Sequence, residues 1–222
     1  MTLYFEEQGE GGMVALVHGL FGSSVNWRGI ARRLASRYRV YNLDLPNHGR
    51  SPHTAAMTYA DMCAALHDFN KAAGAAAMDW VGHSMGGKAV MDLALQHPDC
   101  VRKLVVIDIA PVRYTHSHAA YLDAMLAIDL EAIASRADAE KRLRDAVPDS
   151  ATRLFLLQNL VLAKGAYRWR LNLPVIRRHL SEIMAFPDHA GATFRGPTLK
   201  NSWTASWNEL AAPYCRRWRT PS

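Results

Sequence analysis

The residues with the clearest chemical potential form a Gly-x-Ser-x-Gly pattern, Gly82 to Gly86, with Ser84 at its centre. This pattern places a serine on a sharp turn between a strand and a helix. The flanking glycines are needed because a Cβ atom there would collide with the neighbouring strand and helix. A serine held in this way can attack a carbonyl carbon and form an acyl-enzyme. The residues before Gly82 are strand-like and those after Ser84 are helix-like, which favours a nucleophile over a glycine-rich turn with an incidental serine.

A second segment, His18 to Gly22, follows the first apolar run of the chain and reads His-Gly-x-x-Gly. Attack on a carbonyl creates an oxyanion, and each fixed donor aimed at it is worth roughly 3 kcal/mol in the transition state. The backbone N–H groups of Leu20 and Met85 are the predicted donors of this oxyanion hole. The start of the helix behind Ser84 also favours developing negative charge.

Strand-like and helix-like segments alternate over the first half of the chain. The predicted strands are Met13–Val17, Val40–Leu45, Met78–Val81 and Leu104–Ile107, and the predicted helices are Trp27–Ser36, Tyr59–Ala73 and Met85–Gln96. This alternation predicts an α/β protein with a parallel sheet and helices on both of its faces.

The pattern changes after residue 112, where apolar helical periodicity dominates and no clear strand is found. We therefore expect an all-helical insertion that covers the ends of the sheet strands. The predicted organisation is a core in residues 1–112, a helical cap in residues 113–186, and the start of the returning core with an atypical tail in residues 187–222.

Composition limits the classes of function. The chain has 222 residues, half of them hydrophobic and 21% charged, as in a soluble globular protein. Three widely spaced cysteines favour neither a disulfide framework nor a metal site. Half of the net charge of +6 falls in residues 200–222, without a basic stripe, so we expect no nucleic-acid partner. A membrane span and a signal peptide are also not indicated, and the expected location is cytoplasmic. The oligomeric state stays open.

The chain resembles the α/β-hydrolase superfamily, and within it the small bacterial YbfF-type esterases. The segments that carry the resemblance are Leu16–Ser23, Asp44–Ser51, Gly82–Val90, Ile107–Val112 and Trp169–Val175. The resemblance implies the α/β-hydrolase fold, a small-molecule ester substrate, and no metal or organic cofactor.

The resemblance also implies that Asp108 is the acid of a catalytic triad. Asp108 directly follows a predicted strand, at the sheet edge where such sites are built. The alternative is a solvated or helix-capping aspartate. Asp44 also follows a strand and is the rival acid, ranked lower because its loop looks structural.

The resemblance further implies a general-base histidine near the end of the chain, but no histidine follows His189. The other histidines have simpler explanations as residues of loops, helix faces or the cap. Among them His116, His118, His179 and His189 are weak candidates for a substitute base.

Residues 200–222 carry three of the six tryptophans and no strand periodicity. We hypothesise that the reading frame is disrupted near Leu199, so that the last strands and the catalytic histidine are missing. A genuine, divergent terminus is the alternative. Translation of the downstream DNA in the other two frames tests the hypothesis.

The favoured function is that of a serine esterase acting on small to medium apolar acyl groups. The same nucleophile turn serves thioesterases, lactonases, carbon–carbon bond hydrolases and haloperoxidases, and the fold does not select among them. An inactive hydrolase remnant or a binding scaffold is the alternative of another class.

Overall fold

The computed structural model describes residues 1–115, 117–201 and 218–219. In these residues the strands are β1 (Phe5–Gln8), β2 (Gly12–Val17), β3 (Tyr38–Leu43), β4 (Met78–His83), β5 (Val101–Ile107), β6 (Leu160–Ala163), β7 (Ala166–Trp169), β8 (Thr198–Asn201) and β9 (Trp218–Arg219). Seven of them form one sheet in the order β1-β3-β2-β4-β5-β8-β9. Every neighbouring pair in it is parallel except β1 with β3, so the predicted mostly parallel sheet is confirmed.

The helices are α1 (Arg28–Leu34), α2 (Tyr59–Ala72), α3 (Met85–Gln96), α4 (Ala119–Leu126), α5 (Arg136–Leu143), α6 (Ser150–Leu157), α7 (Leu173–Arg178) and α8 (Leu180–Met184). Helix α2 begins at a capping box in which the Thr58 side chain accepts a hydrogen bond from the Asp61 N–H. Its buried residues Met62, Leu66 and Phe69 recur at helical spacing. None of the helices in the described ranges is both long and apolar enough to cross a membrane.

Helices cover both faces of the sheet, as predicted. One apolar cluster lies on the face of α2 and α3 and continues into the segment between β5 and β8. A smaller cluster, formed by Val14, Leu16, Val40, Trp27 and Ala31, packs α1 against the other face. Helix α3 is buried from Met85 to Ala94, because it lies between the sheet and α2. Ser84 therefore directly precedes a helix that is buried over most of its length.

Two strands were missed by the sequence analysis in the segment after residue 112. The expectation of an all-helical insertion is wrong there, because β6 and β7 pair as an antiparallel hairpin. Lys164 and Gly165 form its two-residue turn, with φ of 52° and 82°. Two consecutive positive φ angles match the type I′ turn that hairpins prefer. The predicted boundaries of this cap at residues 112 and 186 stay a prediction.

The returning strand β8 lies in the segment that was predicted to begin the returning core, and it pairs in parallel with β5. Strand β9 adds two residue pairs to the outer side of β8. Residues 202–217 and 220–222 of the atypical tail lie outside the described residues. The prediction that later strands are missing therefore stays a prediction.

Candidate active site

Ser84 stands on the turn between β4 and α3. Its φ of 51° and ψ of −121° belong to a conformation that non-glycine residues rarely adopt. The Ser84 N–H donates to the Ile107 carbonyl oxygen at 3.0 Å, which ties the turn to the end of β5. A Cβ atom at Gly86 would lie 2.4 Å from the His18 carbonyl oxygen, so glycine is required for α3 to approach β2. The sharp turn predicted from the glycine spacing is present.

The two predicted oxyanion donors flank this serine. Met85 is the first residue of α3, so its N–H has no acceptor within the helix. Leu20 lies in a tight turn closed by the Gly22 N–H, which donates to the Gly19 carbonyl oxygen at 2.9 Å. A Cβ atom at Gly19 would lie 3.1 Å from the Ser84 Cβ atom. Leu20, Ser84 and Met85 line one narrow cavity of about 40 Å³, so the serine and both predicted donor residues border the same space.

A larger cavity of about 640 Å³ opens beside Ser84, between the core and the segment after residue 112. The core contributes Phe21 and Trp27, and the covering segment contributes His118, Tyr121 and Phe155. The rings of Phe21 and His118 meet edge to face with centroids 5.9 Å apart. The cavity thus offers apolar and aromatic walls next to a nucleophilic side chain.

Asp108 directly follows β5, with a φ of 55°, and its side chain is exposed. Burial lowers the pKa of the neighbouring His83, while the charge of Asp108 raises it. Asp44 is buried, and its carboxylate accepts hydrogen bonds from the Ser24 N–H at 2.5 Å and the Arg50 N–H at 2.8 Å. Both carboxylate oxygens of Asp44 therefore bind loop backbone. This structural role is the reason for which Asp44 was ranked below Asp108 as the triad acid.

His18 lines the larger cavity with Ser84, and two hydrogen bonds hold its ring in one tautomer. His18 Nε2 accepts from the Leu45 N–H at 3.0 Å, so Nδ1 carries the proton and donates to the Gly19 carbonyl oxygen at 2.8 Å. Burial lowers the pKa of His18 to about 4 and that of His48 to about 3. Both ring nitrogens of His18 are therefore engaged by the backbone, and neither is free to accept the Ser84 proton.

The remaining histidines with described contacts lie in side-chain pairs, in a loop contact or at the cavity. His53 Nε2 donates to the Arg170 carbonyl oxygen at 2.9 Å, and His83 lines the larger cavity with Ser84. His189 bonds to the buried carboxylate of Asp92, and His179 to Glu182. His67 and His97 stack with ring centroids 3.8 Å apart. His118 lines both cavities that contain Ser84, whereas His116 lies outside the described residues.

Lys88 was missed by the sequence analysis, although it lies one helical turn after the serine. It is 1% exposed, and burial lowers its pKa to about 7. A lysine within the otherwise apolar first two turns of α3, residues 85–91, is the signal that could have singled it out.

A serine on the turn between the central strand β4 and a buried helix, at the carboxyl edge of a mostly parallel sheet, defines an α/β hydrolase. The family model described as alpha/beta hydrolase fold matches residues 12–213, and the chain belongs to this family. The match continues past Leu199, the point at which the reading-frame hypothesis places the break. That hypothesis stays a prediction.

Several relatives are named as esterases or lipases. The chain is 42% identical over 194 residues to the sn-1-specific diacylglycerol lipase ABHD11 of Mus musculus, covering 84% of this chain. It is 37% identical over 164 residues to the esterase YbfF of Escherichia coli, covering 73% of this chain. The chain spans 63% of the length of each of these two relatives. A solved marine microorganism esterase matches with a TM-score of 0.92 and 33% identity, covering 99% of this chain and 90% of the other. The chain therefore shares its ancestry with proteins that are named as esterases and lipases.

Proposed function

We propose that this protein hydrolyses carboxylic esters of small to medium apolar acyl groups through an acyl-enzyme on Ser84. The observation that carries the proposal is the strained serine turn, which opens into an apolar cavity of about 640 Å³. Cavities of a few hundred Å³ with apolar walls and few polar groups are typical small-molecule sites. Esterase and lipase relatives support the same reaction class.

The reaction proceeds in two steps. Ser84 Oγ attacks the ester carbonyl, and its proton passes to a base and then to the departing alcohol. The N–H groups of Leu20 and Met85 stabilise the oxyanion, and a water molecule then attacks the acyl-serine with the same base assisting. Asp108 orients the base. We assign the base to no residue, because the chain has no histidine after His189.

The walls of the cavity suggest the acyl group. Phe21, Tyr121, Phe155 and Leu156 surround the space beside Ser84. Its described lining includes the histidines His18, His83 and His118 but no Asp, Glu, Lys or Arg. A short or medium hydrocarbon chain gains about 0.8 kcal/mol for each methylene group buried there. Thioesters, lactones and carbon–carbon bonds are the competing substrate classes, since the same serine turn serves them.

Hydrolysis of p-nitrophenyl butyrate, with labelling by a fluorophosphonate probe, tests the proposal. We expect the wild-type chain to turn over and to be labelled, and Ser84→Ala to lose both properties, because no other hydroxyl occupies the strained turn. Turnover would place the base within this chain. A folded wild-type chain that is neither labelled nor active would refute the proposal and favour an inactive scaffold.

A further inference from the structure

Lys88 is joined to the nucleophile by the first turn of α3. Its backbone N–H donates to the Ser84 carbonyl oxygen at 3.1 Å, and its side chain is almost completely buried. A buried cation is costly unless its donors are all satisfied. The contacts of the ammonium group therefore indicate what this lysine does in the fold.

The Lys88 ammonium binds the backbone at both ends of the segment that covers the site. Lys88 Nζ donates to the carbonyl oxygens of Val112 at 2.8 Å, Met184 at 3.0 Å and Ala185 at 2.7 Å. Val112 lies where the chain leaves the core for the cap, and Met184 and Ala185 lie where it returns. Three acceptors match the three N–H donors of an ammonium group.

Neighbouring hydrogen bonds join the same two segments, the one that leaves the core at Val112 and the one that returns at Met184 and Ala185. We call these two segments the crossings. The Tyr114 N–H donates to the Met184 carbonyl oxygen at 3.0 Å, which joins the outgoing and returning chains directly. The Tyr59 hydroxyl donates to the Ile183 carbonyl oxygen at 2.7 Å, which ties the returning chain to α2. The Lys88 ammonium also lies 4.8 Å from the centre of the Tyr114 ring, within the range of a cation–π contact.

These crossings border the reacting serine. Lys88, Tyr114 and Met184 line the same narrow cavity of about 40 Å³ as Ser84 and Met85. From Tyr114 the chain runs on to the cap residues that form the wall of the larger cavity. A shift of the crossings would therefore move that wall relative to Ser84.

We propose that Lys88 is a positioning residue whose ammonium group ties both ends of the cap to the nucleophile helix and so fixes the acyl-binding wall over Ser84. This inference rests on the proposed ester hydrolysis for its catalytic part. The simpler alternative is a lysine that only fills the core, in which case a methionine of similar length would serve equally well.

The test compares Lys88→Met with wild type and with Lys71→Met, which removes an exposed lysine at the end of α2. Hydrogen–deuterium exchange is followed in peptides that cover residues 110–115 and 181–187. We expect at least tenfold faster exchange of the Tyr114 amide in Lys88→Met, with β2 and β4 unchanged. The proposed tether would be overturned if these peptides exchanged equally fast in Lys88→Met and wild type, or if exchange became faster by the same factor across the whole chain.

Kinetics with p-nitrophenyl octanoate and p-nitrophenyl acetate supply a readout that a merely structural lysine would not move. We expect Lys88→Met to raise KM for the octanoate at least tenfold, because the long acyl chain needs the wall. Its kcat/KM for the acetate should stay within threefold of wild type. An equal loss on both esters overturns the positioning role.

Lys88→Gln keeps the test decisive if the methionine variant does not fold, since a shorter amide retains donors but cannot reach all three carbonyl oxygens. It should show smaller changes in the same direction, and wild-type exchange and kinetics would overturn the proposal. If wild type hydrolyses neither ester, the proposed function and the catalytic part of this inference both fail. The exchange comparison still decides whether the tether exists.

Discussion

The close approach of α3 to β2 can be tested with a matched pair of glycine substitutions. Gly86 and Gly29 are both the second residue of a helix, α3 and α1 respectively. A Cβ atom at Gly86 would lie 2.4 Å from the His18 carbonyl oxygen and 2.7 Å from that of Val17. A Cβ atom at Gly29 would have no heavy atom within 4 Å. The same change to alanine should therefore have opposite effects at the two positions.

The magnitudes follow from these surroundings. The atoms that a Gly86→Ala methyl group meets are backbone atoms of a central strand, so α3 must move away, at a cost of about 3 kcal/mol. Gly29→Ala should stabilise the chain by about 0.5 kcal/mol, because alanine loses less conformational entropy in a helix. For a chain of this size 1 kcal/mol corresponds to roughly 2–4 °C in Tm. We thus expect Tm to fall by about 6–12 °C in Gly86→Ala and to rise by about 1–2 °C in Gly29→Ala.

Differential scanning calorimetry measures both shifts, and the rate of fluorophosphonate labelling reports on Ser84. A movement of α3 by about 1 Å displaces the Met85 N–H, and misplacements of this size can lower rates about 100-fold. Gly86→Ala should therefore label far more slowly at a temperature where it is fully folded. A Gly86→Ala variant that melts and labels like wild type would show that α3 is not held against β2 as described.

Two further predictions concern buried histidines. Burial lowers the pKa of His18 and His48 well below 6.5, so the unfolded chain takes up protons first as the pH falls. The free energy of unfolding should therefore fall by about 2 kcal/mol per histidine between pH 6.5 and 5. The midpoints of urea unfolding at these two pH values measure the loss, and equal midpoints would contradict the prediction. His189→Ala should destabilise the chain by about 2 kcal/mol, because the fully buried Asp92 loses its charge-assisted partner. The control His179→Ala, whose partner is a half-exposed glutamate, should cost about 0.5 kcal/mol or less in the same urea titration.

The parts of the fold that follow local rules could be predicted from the sequence. Helix α3 has the predicted bounds, Met85 to Gln96, because the serine turn fixes its start and His97-Pro98 its end. The central strands were found because buried parallel strands are continuous apolar runs. Strand β1 was missed because an edge strand that reads Phe-Glu-Glu-Gln has no apolar alternation, and its pairing with β3 is decided by distant residues. The hairpin β6–β7 was missed because its strands have only four residues each.

The residues of the candidate site also fall into two groups, those that local sequence rules predict and those that depend on distant contacts. The positions of Ser84, Leu20 and Met85 could be predicted, because each lies at a strand or helix end whose backbone geometry follows from glycines nearby in the sequence. Their catalytic roles stay a prediction. Lys88 could not be assigned a role, because its acceptors are carbonyl oxygens 24 to 97 residues away and carry no side-chain signature. Any residue can supply a carbonyl oxygen, so its partners become visible only once the fold has brought both ends of the cap to α3. No sequence pattern indicates a contact between one side chain and the backbone carbonyl oxygens of distant residues, so such a contact is visible only in the folded structure.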